Sequence, residues 1–217
     1  MKRVMIIASA AVLLLAPLAF TQPPAGQKIG LATSLQRGYA GFKTNFTQAA
    51  EKMPEADYSF KPGSTPEART YTQVIAHIAQ AQFGQCAGLT GAANPMQGKN
   101  LEQDLKTKAE LTKALADSFA LCDKAFADVT DANATELVKA GANEQTRAAS
   151  LYGVIVHGNE IAGTAYAYLR TKGIVPPSTE RAMATMARIA ARPSCTLAPC
   201  CGFPWRIVSA KPSIWRL

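Results

Sequence analysis

Histidine is nearly absent from this chain of 217 residues, which contains only two. The two, His77 and His157, fall in separate stretches that are both predicted to be helical. So few imidazoles exclude a site built from many histidines, but imidazoles on facing helices of a bundle can bind one metal ion. The histidine pair is therefore the first candidate site in the sequence.

The sequence also lacks the motifs that identify common catalytic sites. It contains no G-x-S-x-G turn, no glycine-rich phosphate loop and no helical H-E-x-x-H. Neither Cys86 nor Cys122 adjoins a histidine or an obvious positive cluster that would activate a thiolate. We therefore expect any catalytic chemistry at His77 and His157.

Positive charge is scarce in the middle of the chain although the formal net charge is +8. The residues after Met1 contribute Lys2 and Arg3, and five further positive residues follow Arg181. Between residues 22 and 181 the remaining 16 Lys and Arg face all 15 acidic residues, a net charge of +1. Because no basic stripe with interleaved aromatic residues is present, we expect no nucleic-acid partner.

The N-terminus has the pattern of an export signal. Lys2 and Arg3 precede an apolar run at 4–20, and a polar, proline-rich segment follows. We predict a signal peptide over residues 1–21 and an exported protein, either periplasmic or extracellular. An uncleaved anchor is the alternative, since the run is at the short edge of a membrane span. No later segment is apolar enough to cross a bilayer, so we expect no membrane contact after cleavage.

Export would place the five cysteines in an oxidising compartment, where disulfides are allowed. Cys86 and Cys122 fall in different predicted helices, so a bridge between them is one interpretation. We favour the other interpretation, in which they are two small buried apolar residues. The three remaining cysteines lie in the C-terminal tail with a C-x4-C-C spacing that matches no common zinc pattern.

Apolar periodicity predicts four helices and an all-α fold, a four-helix bundle over residues 22–181. The predicted helices span residues 28–52, 70–88, 101–129 and 146–172. Thr70 and Gln73 fit a capping box at the start of the second helix. No alternating β pattern of useful length is evident. We expect residues 182–217 to form an irregular, basic tail that contains only a short helix to Arg192.

Three segments of the chain resemble the DinB/YfiT-like family. They are EKMPEADYSFKPGSTPEARTYTQVIAHIAQAQFGQC, HGNEIAG and YLRTKGIVPPS, and together the resemblance covers about residues 29–179. The resemblance implies a four-helix bundle that holds a divalent metal, often zinc or nickel, on three histidines. One histidine comes from the second helix and two come from the fourth helix at i and i+4.

His77 and His157 match the first two ligands of this family pattern, whereas Ile161 replaces the third. We also consider Glu160, three residues after His157, as a third ligand that would give a two-histidine, one-carboxylate set. On a helix, residue 161 points in a direction closer to that of His157 than Glu160 does. Glu160 could therefore instead orient an imidazole or face solvent. The predicted metal residues are thus His77, His157 and Glu160.

Two functions remain open at this stage. The resemblance implies a metal-dependent enzyme, a thiol transferase or a hydrolase, in which the metal activates a nucleophile. The missing third histidine favours instead a non-catalytic bundle that binds a small molecule or a protein partner. A homodimer is compatible with a bundle of this size, although no exposed heptad seam predicts one.

Overall fold

The computed structural model describes residues 26–191, and its helices form a bundle, as predicted. In chain order the elements are α1 (Leu31–Lys52), a 3-10 turn (Glu55–Asp57), α2 (Tyr71–Thr90), α3 (Leu101–Asp104), α4 (Lys108–Ala127), β1 (Leu137–Ala140), β2 (Asn143–Thr146), α5 (Arg147–Thr171) and α6 (Pro177–Ala190). The four long helices α1, α2, α4 and α5 are the bundle. The mostly helical fold class is therefore confirmed.

The core follows the apolar stripe of α1. Leu35, Tyr39, Phe42 and Phe46 recur at steps of three or four residues, and all four are buried. The Tyr39 ring stacks on Phe126 of α4 with the ring centroids 4.0 Å apart. Burial of these side chains supplies most of the drive for α1 to pack on the bundle.

Helix α2 begins with the predicted capping box. The backbone N–H of Gln73 donates to Thr70 Oγ1 over 3.3 Å, and the N–H of Thr70 donates to Gln73 Oε1 over 2.8 Å. The helix ends at Gly91, whose φ of +69° suits glycine. The start of α2, whose N-cap Thr70 lies seven residues before His77, is therefore set by local sequence.

The prediction of one continuous third helix over residues 101–129 is wrong. Leu105 is extended, and α4 begins after Thr107, whose N–H donates to Glu110 Oε2 over 2.9 Å in a second capping box. The capping box satisfies free backbone N–H groups at the start of a helix, so α3 ends before Thr107 and a new helix begins after it. The break sets α3 apart as a short element beside α2.

A small antiparallel hairpin also departs from the all-α prediction. Strands β1 and β2 pair from Leu137 with Thr146 to Ala140 with Asn143. Gly141, the first residue of the two-residue loop, has a φ of +64°. All the residues of the two strands are exposed or half-buried, so the apolar alternation that would reveal the hairpin in the sequence is weak.

The favoured interpretation of Cys86 and Cys122 as separate thiols is wrong, because the two form a disulfide between α2 and α4. Their Cα atoms are 5.0 Å apart, within the range that a disulfide spans. Both cysteines are fully buried. One turn earlier on each helix, the buried Ser118 hydroxyl donates to Gln82 Oε1 over 2.8 Å, so a polar contact and a covalent bond join the same interface.

Helix α6 runs across residue 181, where the bundle is predicted to end. Its side chains after the first turn are exposed, including Met183, Met186 and Ile189. The predicted signal peptide and the tail beyond residue 191, with its three cysteines, lie outside the described residues. Within residues 26–191, no helix has the length and apolar character of a membrane span.

Candidate functional site

A cleft of about 600 Å³ opens between α2 and α5. One face of each helix lines it, because the lining positions recur at helical spacing. They are residues 77, 80, 81, 84, 85, 88 and 89 of α2 and residues 150, 153 and 157 of α5. Residues 139–141 and Gln145 of the hairpin form a further wall. Four of the lining residues are glycines, so the walls leave room for a ligand.

His77 and His157 meet in this cleft. Their ring centroids are 5.2 Å apart and the ring planes are inclined by 72°. The side chains are 23% and 30% exposed respectively, so neither imidazole is sealed in a dry core. The structure therefore brings together the two histidines that the sequence singled out.

Glu102 of α3 is a site residue that the sequence analysis missed. Its Oε1 lies 2.7 Å from His77 Nδ1, and its Oε2 accepts a hydrogen bond of 2.9 Å from Arg69 Nε. Burial alone would raise the pKa of Glu102, but the hydrogen bonds from Arg69 and His77 outweigh it and hold that pKa below its usual value. A carboxylate is therefore fixed behind one of the two imidazoles.

Glu160 lies on the outer side of His157 and is not a cleft-lining residue. Its Oε2 is 3.7 Å from His157 Nδ1, beyond hydrogen-bonding distance, and its side chain is 72% exposed. Ile161 is half-buried against the core and does not line the cleft. The structure thus joins two of the three predicted metal residues and leaves the third at the periphery.

The separation of the two imidazoles is one at which they could share a metal ion. Two histidines on one tetrahedral zinc, with Zn–N bonds of about 2 Å, have ring centroids about 5 Å apart. The observed separation of 5.2 Å agrees with this value, although it also suits an edge-to-face aromatic contact. Over residues 26–191 there is no group of three or more His, Cys, Asp or Glu side chains placed to hold a metal. Water or a ligand would have to complete the shell.

This arrangement defines a helical-bundle protein with two imidazoles facing an open cleft. The chain matches the model of the DinB superfamily over residues 42–160, more than half of its length, and this span includes both histidines. The chain belongs to the DinB superfamily, as its resemblance implied.

Solved structures of other proteins are similar to this chain, among them one from Bacillus cereus and one from Enterococcus faecalis. A DinB-like protein from Bacillus cereus ATCC 10987 has a TM-score of 0.55 at 14% identity and covers 66% of this chain and 93% of its own. A conserved protein from Enterococcus faecalis has a TM-score of 0.53 at 15% identity and covers 66% and 97%. At these identities the likeness establishes the fold alone. No curated protein shows a significant match to the chain.

Proposed function

We propose that this protein binds a divalent metal ion, zinc or nickel, on His77 and His157, and that the metal serves a small molecule held in the α2–α5 cleft. The observation that carries the proposal is the meeting of the two imidazoles, 5.2 Å apart, within a cleft of about 600 Å³. A ligand could reach both rings through the open side of the cleft. The proposed reaction class is thiol transfer or hydrolysis.

The chain's own contribution is to hold two imidazole donors and to shape the space beside them. Nδ1 of His77 lies 2.7 Å from the Glu102 carboxylate, so Nε2 is the atom of this histidine that would bind the metal. A bound divalent ion would make a coordinated water or thiol a better nucleophile. The glycines of the cleft walls leave the space in which the second reactant would lie.

Export is part of the proposal. The Cys86–Cys122 disulfide supports it, because such bonds persist mainly in oxidising compartments. Residues 1–21 would supply the signal. In that location the usual low-molecular-weight thiols of the cytoplasm are scarce, which favours hydrolysis over thiol transfer.

The second candidate is a non-catalytic bundle that binds a small molecule or a protein partner in the same cleft. Ile161 in place of a third histidine favours it, because two imidazoles hold a metal more weakly than three. In this case the two rings would simply pack edge to face. Metal binding separates the two candidates.

The test is the metal content of the full chain, purified without a polyhistidine tag and incubated with zinc or nickel before exhaustive desalting. The His77→Ala/His157→Ala double variant removes every histidine from the chain. Glu160→Gln is measured beside it, because it tests Glu160 as a ligand without touching the imidazoles.

About one metal ion per chain, lost in the double variant and retained in Glu160→Gln, is the expected result. Loss of metal in Glu160→Gln as well would restore Glu160 as a ligand. If the unaltered protein binds no metal under these conditions, the non-catalytic bundle becomes the better account.

A further inference from the structure

We infer that Glu102 is a positioning residue that fixes the tautomer and orientation of His77, so that Nε2 of this imidazole is presented to the cleft. The inference deepens the proposed function and rests on it for the role of Nε2. It is carried by the contact of 2.7 Å between Glu102 Oε1 and His77 Nδ1.

The contact settles which nitrogen carries the proton when the imidazole is neutral. An ionised carboxylate can only accept hydrogen bonds, so Nδ1 of His77 must be the donor. The lone pair of a neutral His77 then lies on Nε2, the nitrogen that a metal or a ligand proton would meet.

Glu102 is itself held in place from two sides. Its second oxygen accepts from Arg69 Nε over 2.9 Å, so each carboxylate oxygen has a donor of its own. The backbone carbonyl of Arg69 accepts a hydrogen bond from the Tyr168 hydroxyl of α5. A chain of contacts therefore connects α5, through Arg69 and Glu102, to the imidazole of α2.

Helix α3 is docked on α2 close to the same histidine. The N–H of Leu101 donates to Gln80 Oε1 over 2.7 Å, and Gln80 lies three residues after His77. Leu101 is 5% exposed and packs in the core, and the Asn100 side chain accepts from the N–H of Glu102 over 3.2 Å. The backbone that carries the Glu102 carboxylate is thus anchored on α2.

His157 provides the matched comparison. Its nearest carboxylate, Glu160, is 3.7 Å from Nδ1 and mostly exposed, whereas Glu102 is 19% exposed. Removal of Glu102 should therefore disturb His77, and removal of Glu160 should leave His157 almost unchanged.

The experiment compares Glu102→Ala, Glu102→Gln and Glu160→Gln in the full chain. The tautomer of His77 is read first, in metal-free protein at pH 8, from the nitrogen-15 shifts of the ring, and His157→Ala assigns the signals. Zinc affinity is then measured by competition with a chromophoric chelator. Circular dichroism and the melting temperature show whether each variant is folded.

The expected result is an Nδ1–H tautomer of His77 in the unaltered protein and in Glu160→Gln, and a mixture of tautomers in Glu102→Ala. Zinc affinity should fall about 10- to 100-fold in Glu102→Ala. The fall should be smaller in Glu102→Gln, whose amide oxygen can accept from His77 or Arg69 but not from both. Glu160→Gln should stay within about twofold of the unaltered protein, by the same principle.

An unchanged tautomer in Glu102→Ala and Glu102→Gln, or equal losses of zinc affinity in the Glu102 and Glu160 variants, would overturn the inference. The tautomer measurement needs no metal. If the expected tautomers are found and the unaltered protein does not bind zinc, the positioning role of Glu102 stands and the proposed metal function fails.

Discussion

The α2–α4 interface and the α2–α5 cleft use opposite faces of one helix in opposite ways. Toward α4, α2 presents Cys86 and Gln82, which form a disulfide and a buried hydrogen bond. Toward α5 it presents His77 and glycines such as Gly84, which leave a cleft. Helix α2 is thus anchored on one face, so that its other face can remain open without collapse of the bundle.

Removal of the Cys86–Cys122 disulfide is expected to have the largest effect on stability. The Cys86→Ala/Cys122→Ala variant should lose roughly 3–4 kcal/mol of unfolding free energy, because the bridge closes a long loop in the unfolded chain. Urea unfolding with and without a thiol reductant measures the effect. Reductant should lower the unfolding free energy of the unaltered protein and leave that of the variant unchanged. Equal stability of the two proteins without reductant would contradict the anchoring role.

A second change tests the packing of α5 against α1, behind the cleft. A Cβ atom at Gly158 would lie 2.6 Å from the Phe42 ring, which is fully buried. We expect Gly158→Ala to lower the free energy of unfolding by roughly 1–2 kcal/mol, because the loss from overpacking exceeds the gain from the higher helix propensity of alanine. Thermal unfolding measures the change.

Gly163→Ala on the same helix is the matched control, because a Cβ there meets nothing within 4 Å. It should raise stability by up to about 1 kcal/mol. If both variants lost stability equally, the tight contact of Gly158 with Phe42 would not be the cause.

The smallest expected effect concerns Gly84, in the α2 wall of the cleft. The nearest atom to a Cβ at Gly84 is Asn94 Nδ2, at 3.9 Å, so the new methyl group fits. Gly84→Ala should stabilise the protein by about 0.5–1 kcal/mol, because alanine loses less backbone entropy in a helix. Denaturant unfolding checks this value, and a loss of stability would mean that the cleft wall is closely packed.

Much of this fold could be predicted from local sequence. The stripe of α1 and the capping box at Thr70 each depend on residues within a few positions of one another, and both are confirmed. The break at Thr107 was missed, although the six-residue step from Leu105 to Leu111 departs from helical spacing and the capping box with Glu110 was a readable signal.

The site was only partly predictable, for a different physical reason. His77 and His157 stood out because they are the only histidines in the sequence. Glu102 is an ordinary acidic residue in the sequence, and its meeting with His77 depends on the docking of α3, a long-range event. The pairing of Cys86 with Cys122 likewise depends on how two helices face each other.

The most direct test of the metal site is anomalous X-ray diffraction from crystals of the protein grown with zinc. We expect a zinc peak in the α2–α5 cleft, bound by Nε2 of His77 and Nε2 of His157, with the remaining positions filled by water or a small ligand. A well-ordered cleft with both imidazoles in edge-to-face contact and no zinc between them would contradict the proposed metal site.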